Sequence, residues 1–289
     1  MRIQLRLVSL ESMSEFEPGR LVRLAPGVHR LVAPNASPLT GPGTNTFLLG
    51  EPPTAVIDPG PAAPEHLAAI RQAAPRLTHV FVTHTHPDHS PGARPLAESS
   101  GALLVGLPAP RGEHQDETFV PDVKPQRDQC FALEGLTLRA VDTPGHASNH
   151  VCYVLEEQGL LFSGDHLLDG VTPVIPPPDG DMAAYLESLR RLRDYPLRAI
   201  APGHGRLLGD PLAVIDGVIA HRLRREAKVL AALEQAGRAS LDALLALVYQ
   251  DKNTWLHRLA RSSLEAHLIK LEREGRCMRD GDLWTVCRA

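Results

Sequence analysis

The chain has 289 residues, a formal net charge of −4, 14 histidines and 4 cysteines. That length holds one large core plus a small appendage and is short for three domains. Hydrophobic residues make up 43% and charged residues 22%, as in a globular protein, and a pI near 6.4 exerts no general pull on nucleic acid or membrane.

Leu21–Leu24 and Val28–Val32 read as short strands around the Pro26-Gly27 turn. Thr46–Leu49 and Ala55–Ile57 follow, the latter running into Asp58-Pro59-Gly60. Pro64–Ala73 has helical spacing and is ended by Pro75. Thr78–Thr83 has the pattern of a strand buried on both faces. A helical stretch near Ala93–Ser99 and a strand at Leu103–Val105 come next. Thr137–Asp142, Val151–Leu155 and Gly159–Phe162 read as strands, and Pro173–Asp179 as loop. Asp181–Arg193 is an amphipathic helix for which Asp179 or Asp181 is the candidate cap. Ala199–Ala201 is a last short strand. The alternation predicts a mixed-sheet layered fold for residues 1–210.

The character then changes. From Ile215 onward 13 Lys and Arg face 10 Asp and Glu, a net +3, whereas the first 214 residues carry 17 against 24, a net −7. Val214–Gln235, Leu241–Tyr249 and Trp255–Glu274 read as helices, the last with a weak point at Arg261-Ser262. Leu256, Leu259, Leu264, Leu268 and Leu271 mark its core face. A hairpin on the Asp280-Gly281 turn completes a winged-helix pattern in a second domain, 211–289. Arg258, Arg261, Lys270, Arg273, Arg276 and Arg279 are basic, but Glu265, Glu272, Glu274, Asp280 and Asp282 interleave with them. That favours a packing role, in closing the substrate cleft or in a dimer contact, over phosphate binding.

Cys130, Cys152, Cys277 and Cys287 form no C-x-x-C pair, which excludes a thiolate zinc finger and a disulfide scaffold. Free thiols fit a cytoplasmic protein. No membrane span is expected, because Pro34, Pro38 and Pro42 break the uncharged stretch 31–50. Arg6 and Glu11 stand where a secretion signal needs an apolar run.

The sharp features sit where strands end. Thr83-His84-Thr85-His86-Pro87-Asp88-His89 places four ligand-type side chains in six residues. Imidazole and carboxylate suit zinc and related divalent metals. Pro144-Gly145-His146, Gly164-Asp165-His166 and Pro202-Gly203-His204 follow later strands.

In that order the motifs resemble the metallo-β-lactamase fold superfamily. The resemblance implies an α+β fold, a four-layer αβ/βα sandwich with a two-metal site along the sheet edge. It assigns His84, His86 and His146 to a first ion, Asp88, His89 and His204 to a second, and Asp165 to both. Asp58 would orient a ligand from behind, with His150 and His166 as further helpers. A hydroxide bridging the two ions would be the nucleophile, with Asp88 and Asp165 as the catalytic carboxylates. Zinc is the first choice of metal; iron or manganese fits the same donors. Aspartate at 165 points away from β-lactam cleavage, and 75 C-terminal residues supply no flavin domain for a diiron reductase.

Gly43-Thr44-Asn45-Thr46-Phe47 and the winged-helix tail resemble the β-lactamase-like protein 2 and glyoxalase II-like group, and Asn45 becomes a candidate for the rim of the site. Three readings follow. The first is a hydrolase of a small ester or thioester, of hydroxyacylglutathione hydrolase-like type. The second is a single-strand-specific endoribonuclease. The third, a non-enzymatic regulatory winged-helix protein with a relict metal site, conflicts with the complete ligand set.

Overall fold

A computed structural model describes residues 14–249 and 254–287. Arg6 and Glu11 lie outside the described residues, as do the side chains of Leu256 and His257. One sheet contains β1 (Val22–Ala25), β2 (Val28–Val32), β3 (Asn45–Gly50), β4 (Pro53–Ile57), β5 (His79–Phe81) and β6 (Leu103–Val105), in that order. A second contains β7 (Cys130–Leu133), β8 (Leu136–Asp142), β9 (Val151–Leu155), β10 (Leu160–Gly164), β11 (Ala199–Pro202) and β12 (Leu208–Gly209), again with neighbours in sequence paired. Phe47, Ile57 and Phe81 of the first sheet bury against Tyr153, Phe162 and Leu138 of the second.

Helices cover both outer faces. The first sheet packs under α1 (Pro64–Ala73) and α2 (Ala93–Ser100), through Leu67, Ile70 and Leu96. The second packs under α3 (Met182–Leu192) and the first half of α4 (Pro211–Ala236), through Tyr185, Leu189 and Ile215. Strands covered on both faces carry apolar side chains without alternation; β3, β4, β9 and β10 are buried throughout. In α3 the Asp181 carboxylate accepts from the Ala183 and Ala184 N–H groups, so Asp181 rather than Asp179 is the cap. Tyr185, Leu189 and Leu192 then recur at helical spacing on its buried side.

The second half of α4 turns to another core. Val229 and Leu233 pack with α5 (Leu241–Val248), α6 (Thr254–Arg273) and a small sheet of β13 (Arg238–Ser240), β15 (Leu283–Val286) and β14 (Cys277–Asp280). This is the winged helix. The expected break in α6 is absent: the helix runs unbroken from Thr254 to Arg273, with Leu264, Leu268 and Leu271 buried on its core face. Strands β7 and β13 were not expected. Both are only three or four residues long, too short for a period to be read from sequence.

His66 of α1 is buried against β3 and beneath the β4 end. Its Nε2 lies 2.9 Å from the Thr46 hydroxyl, which donates to the Asp58 carbonyl at 2.7 Å. Nε2–H is therefore the donor. Burial pushes the imidazole down to about 4 from an ordinary 6.5. The depressed value favours the neutral form, so the contribution is present above pH 6.5 and lost as pH falls towards 4. Urea unfolding should show the wild type losing about 2–3 kcal/mol more than His66→Gln between pH 7 and pH 4.5. Equal pH dependence in the two proteins would locate the effect elsewhere.

Candidate metal centre

Strand direction gathers the motifs. β4 and β5 run parallel, as do β10 and β11, and β8 and β10 both run antiparallel to β9. The loops after β4, β5, β8, β10 and β11 therefore meet at one edge of the sandwich. There the Val151 N–H donates across the sheets to the Thr83 carbonyl at 2.7 Å.

Three overlapping sets of donor atoms each lie within 4.8 Å of one another: His84, His86 and His146; His84, His89 and Asp165; and Asp88, His89 and His204. All seven residues singled out as ligands are thus together. Asp165 faces both ways. Its Oδ2 is 3.7 Å from His146 Nε2, and its Oδ1 is 3.4 Å from His89 Nε2 and 3.3 Å from His204 Nε2.

The outward ring nitrogens are already held. The Asp58 carboxylate accepts from His89 Nδ1 at 2.8 Å and from the Thr83 N–H and hydroxyl at 2.7 Å. Since the Thr83 hydroxyl spends its proton on Asp58, His84 Nδ1 is the donor across their 3.0 Å contact. His146 Nδ1 donates to the Val174 carbonyl at 2.6 Å, and His204 Nδ1 to the Gly43 carbonyl at 3.2 Å. Each ring therefore commits Nδ1 outward and turns Nε2 inward, a lone pair wherever the ring is neutral.

Those lone pairs lack sufficient donors. His84 Nε2 and His146 Nε2 both lie 3.0 Å from the single atom His86 Nδ1. His89 Nε2 and Asp165 Oδ1 are buried with no hydrogen bond. Converging nitrogen lone pairs and carboxylate oxygens fit divalent cations, and the residues pass that test.

The two halves differ electrically. Burial, reinforced by the surrounding histidines, holds His84 well below its ordinary value. Burial and then His146 take His86 down to about 3. Burial opposes charging His204, but Asp165 and Asp88 outweigh it and push that imidazole up to about 9. At His89 burial is likewise outweighed, by Asp88, Asp165 and Asp58, and the shift is upward. The carboxylates holding those protons are the groups that would hold a cation instead.

His150 lies behind the site. Its Nδ1 is 2.9 Å from the Thr143 hydroxyl and its ring stacks on His84 with centres 5.0 Å apart. His166 packs on the Tyr185 ring at 4.7 Å and makes no hydrogen bond through its ring nitrogens among the described residues. Asn45 donates to the Pro202 and Gly205 carbonyls at 2.9 Å, so it braces the His204 loop from below. Gly203 lets that loop approach: a Cβ there would sit 2.7 Å from His89 and 2.8 Å from Asp165. The carbonyls of Gly43 and Val174 carry no side-chain signature and escaped the sequence reading. Thr83 stood in the motif and could have been read as the partner of Asp58.

Residues 39–204 match the metallo-beta-lactamase superfamily and residues 240–284 a beta-lactamase associated winged helix domain. The chain belongs to the metallo-beta-lactamase superfamily and is a metal-dependent hydrolase. It is 33% identical over 227 residues to an atrochrysone carboxyl ACP thioesterase of Emericella nidulans, covering 75% of this chain and 68% of that protein. It is 32% identical over 275 residues to a beta-lactamase-like protein 2 homolog of Drosophila melanogaster, covering 89% and 91%. The fold also superposes on a beta-lactamase domain protein from Burkholderia ambifaria, with a TM-score of 0.77, 21% identity and 94% of each chain covered. No helix among the described residues is long and apolar enough to cross a membrane.

Proposed function

We propose a dinuclear metal hydrolase acting on a small ester or thioester, of hydroxyacylglutathione hydrolase-like type. The observation that carries it is the Asp165 carboxylate standing between two clusters of donors, 3.7 Å from His146 Nε2 on one side and 3.3 Å from His204 Nε2 on the other. We assign His84, His86 and His146 to one ion, Asp88, His89 and His204 to the other, and Asp165 to both, with Asp58, His150 and His166 behind them. Zinc is our first choice, with iron or manganese as alternatives. Two such cations supply Lewis acidity, lowering the pKa of water and stabilising the oxygen that gains charge.

The chain's own part is to hold and orient. Asp58 fixes the His89 ring, and the Val174 and Gly43 carbonyls fix His146 and His204. Asp88 is the more open carboxylate, 26% exposed against 13% for Asp165, and its oxygen not engaged by a cation is the one placed to accept a hydrogen bond from the attacking water. Cys152 is no rival nucleophile, since burial pushes its thiol up to about 12. Gln115, held from behind by the buried Thr85 hydroxyl, Asp179 and the Ser148 N–H are linked side by side near the ligands and form the polar rim we expect substrate to meet.

The thioesterase name of the Emericella nidulans relative supports a thioester substrate, as does the acidic catalytic region. The second reading, cleavage of single-stranded RNA, draws support from the Drosophila match, which covers 89% of this chain. Against it, several basic side chains of the winged helix are engaged with carboxylates. Lys270 pairs with Glu226 and Glu274, Arg261 with Asp242 and Arg273 with Asp181. All four cysteines are free, which supports a cytoplasmic location. A homodimer remains part of the proposal, and sedimentation of the metal-loaded protein checks it.

The test is a side-by-side assay of S-lactoylglutathione, a generic acyl thioester, bis-p-nitrophenyl phosphate and a single-stranded RNA with the metal-loaded protein. Thioester turnover well above the phosphodiester and RNA rates is the expected result. RNA cleavage without thioester turnover would transfer the proposal to the second reading.

A further inference from the structure

Helix α4 does more than connect the two units. Arg222, at its middle, is only 3% exposed. Its guanidinium donates to the Pro173 carbonyl and lies over the Tyr185 ring, 5.4 Å from the ring centre. The carbonyl of Val174, the next residue, accepts from His146 Nδ1. Tyr185 donates its hydroxyl to the His166 carbonyl at 2.9 Å, one residue beyond Asp165. One side chain of α4 thus stands two contacts behind His146 and two behind the Asp165 segment.

The helix is held from its other side. One turn beyond Arg222, the buried Glu226 carboxylate accepts from Lys270 Nζ at 2.8 Å and lies 3.3 Å from His267 Nδ1, both on α6. Arg273 of α6 also pairs with Asp181, the cap of α3. The winged helix therefore holds the 173–185 segment directly through Arg273 and, through Glu226, holds the helix whose Arg222 reaches it.

We infer that Arg222 is a positioning residue for the metal centre, through which the winged helix sets the placement of His146 and Asp165. The planar guanidinium suits this task. It fixes the direction of a carbonyl with one edge and stacks on a ring with its face, which a methionine of similar length cannot do. A buried charge is costly to keep, and here its contacts lead to the ligands. The inference rests on the metal reading above, and the experiment separates the two.

Zinc affinity is measured by competition with a chromogenic chelator in wild type, Arg222→Met and Arg222→Lys. Cobalt-loaded absorption spectra and the melting temperature of each metal-free protein are recorded alongside. Arg222→Met should bind zinc about ten- to a hundredfold more weakly, the range for groups that orient metal ligands. Its cobalt spectrum should shift, and Arg222→Lys should recover part of the affinity. Turnover should fall in kcat with KM little changed. Zinc affinity of Arg222→Met within threefold of wild type overturns the inference, even if its metal-free form melts earlier. Should Arg222→Met not fold, Arg222→Gln, which lacks both the charge and the planar fork, decides by the same threshold. A wild type that binds no zinc, cobalt, iron or manganese overturns the metal reading itself.

Discussion

Replacing His84 and His86 together by alanine should reduce hydrolysis by more than about a thousandfold. Without a cation the reacting water keeps a pKa near 15.7 instead of about 7, and hydroxide is scarce at neutral pH. The two imidazoles supply two of the three nitrogens in the first donor set, and His84 belongs to a second set with His89 and Asp165. Metal analysis should therefore fall below the wild-type content by at least one ion per chain. The fold should survive, because, of the hydrogen bonds around Asp58 and Thr83, only that from His84 to Thr83 is lost, and those from Thr83 and His89 to Asp58 stay. Far-UV circular dichroism and a single melting transition check that point. Turnover that persists at wild-type rate in the folded double variant would remove these histidines from the chemistry.

Gly145→Ala should be among the most damaging single-methyl additions in the chain. Gly145 has φ +148°, a conformation L side chains rarely adopt, and a Cβ there would stand 2.3 Å from Tyr185 Cα and 2.6 Å from its backbone nitrogen. That obstacle is the first turn of α3, which cannot rotate aside as a side-chain tip could. The Asp181 N–H donates to the Gly145 carbonyl and Ser188 to the Pro144 carbonyl, both at 2.8 Å, so the two segments are tied where the methyl would separate them. Strain and overpacking together put the loss at about 2–5 kcal/mol. For a chain of this size that lowers the melting temperature by roughly 5–15 °C. The adjoining His146 should be displaced with it, weakening metal retention. Gly217→Ala is the contrast. Nothing lies within 4 Å of its added Cβ, and inside α4 alanine should stabilise by up to about 1 kcal/mol. Thermal melts of the two variants in metal-free buffer make the comparison.

The sequence disclosed the donors better than what holds them. His84, His86, Asp88 and His89 fall on one short run after a buried strand, and His146, Asp165 and His204 each follow a strand through a glycine, so side-chain type and position were both visible. Asp58 was legible for the same reason. The acceptors that fix His146 and His204 are backbone carbonyls of Val174 and Gly43, and a carbonyl has no letter in the sequence. Tyr185 and Arg222 sit on helices whose periodic patterns explain burial alone. Their reach towards the site depends on how α3 and α4 lie across the second sheet, a tertiary fact. Strand β7 escaped for a different reason: it is a four-residue edge strand whose inward side is only Phe131 and Leu133, too short a run to show a period in the sequence.

The donors come from both sides of the sandwich. His84, His86, Asp88 and His89 hang from the first sheet, and His146, Asp165 and His204 from the second. In mechanical terms the site lies on a seam. Cations seated there would act as rivets through it, so that prising the sheets apart must first break coordination bonds. Loading would then change the stiffness of the molecule as well as its chemistry, and the metal-free protein would be the looser-hinged body.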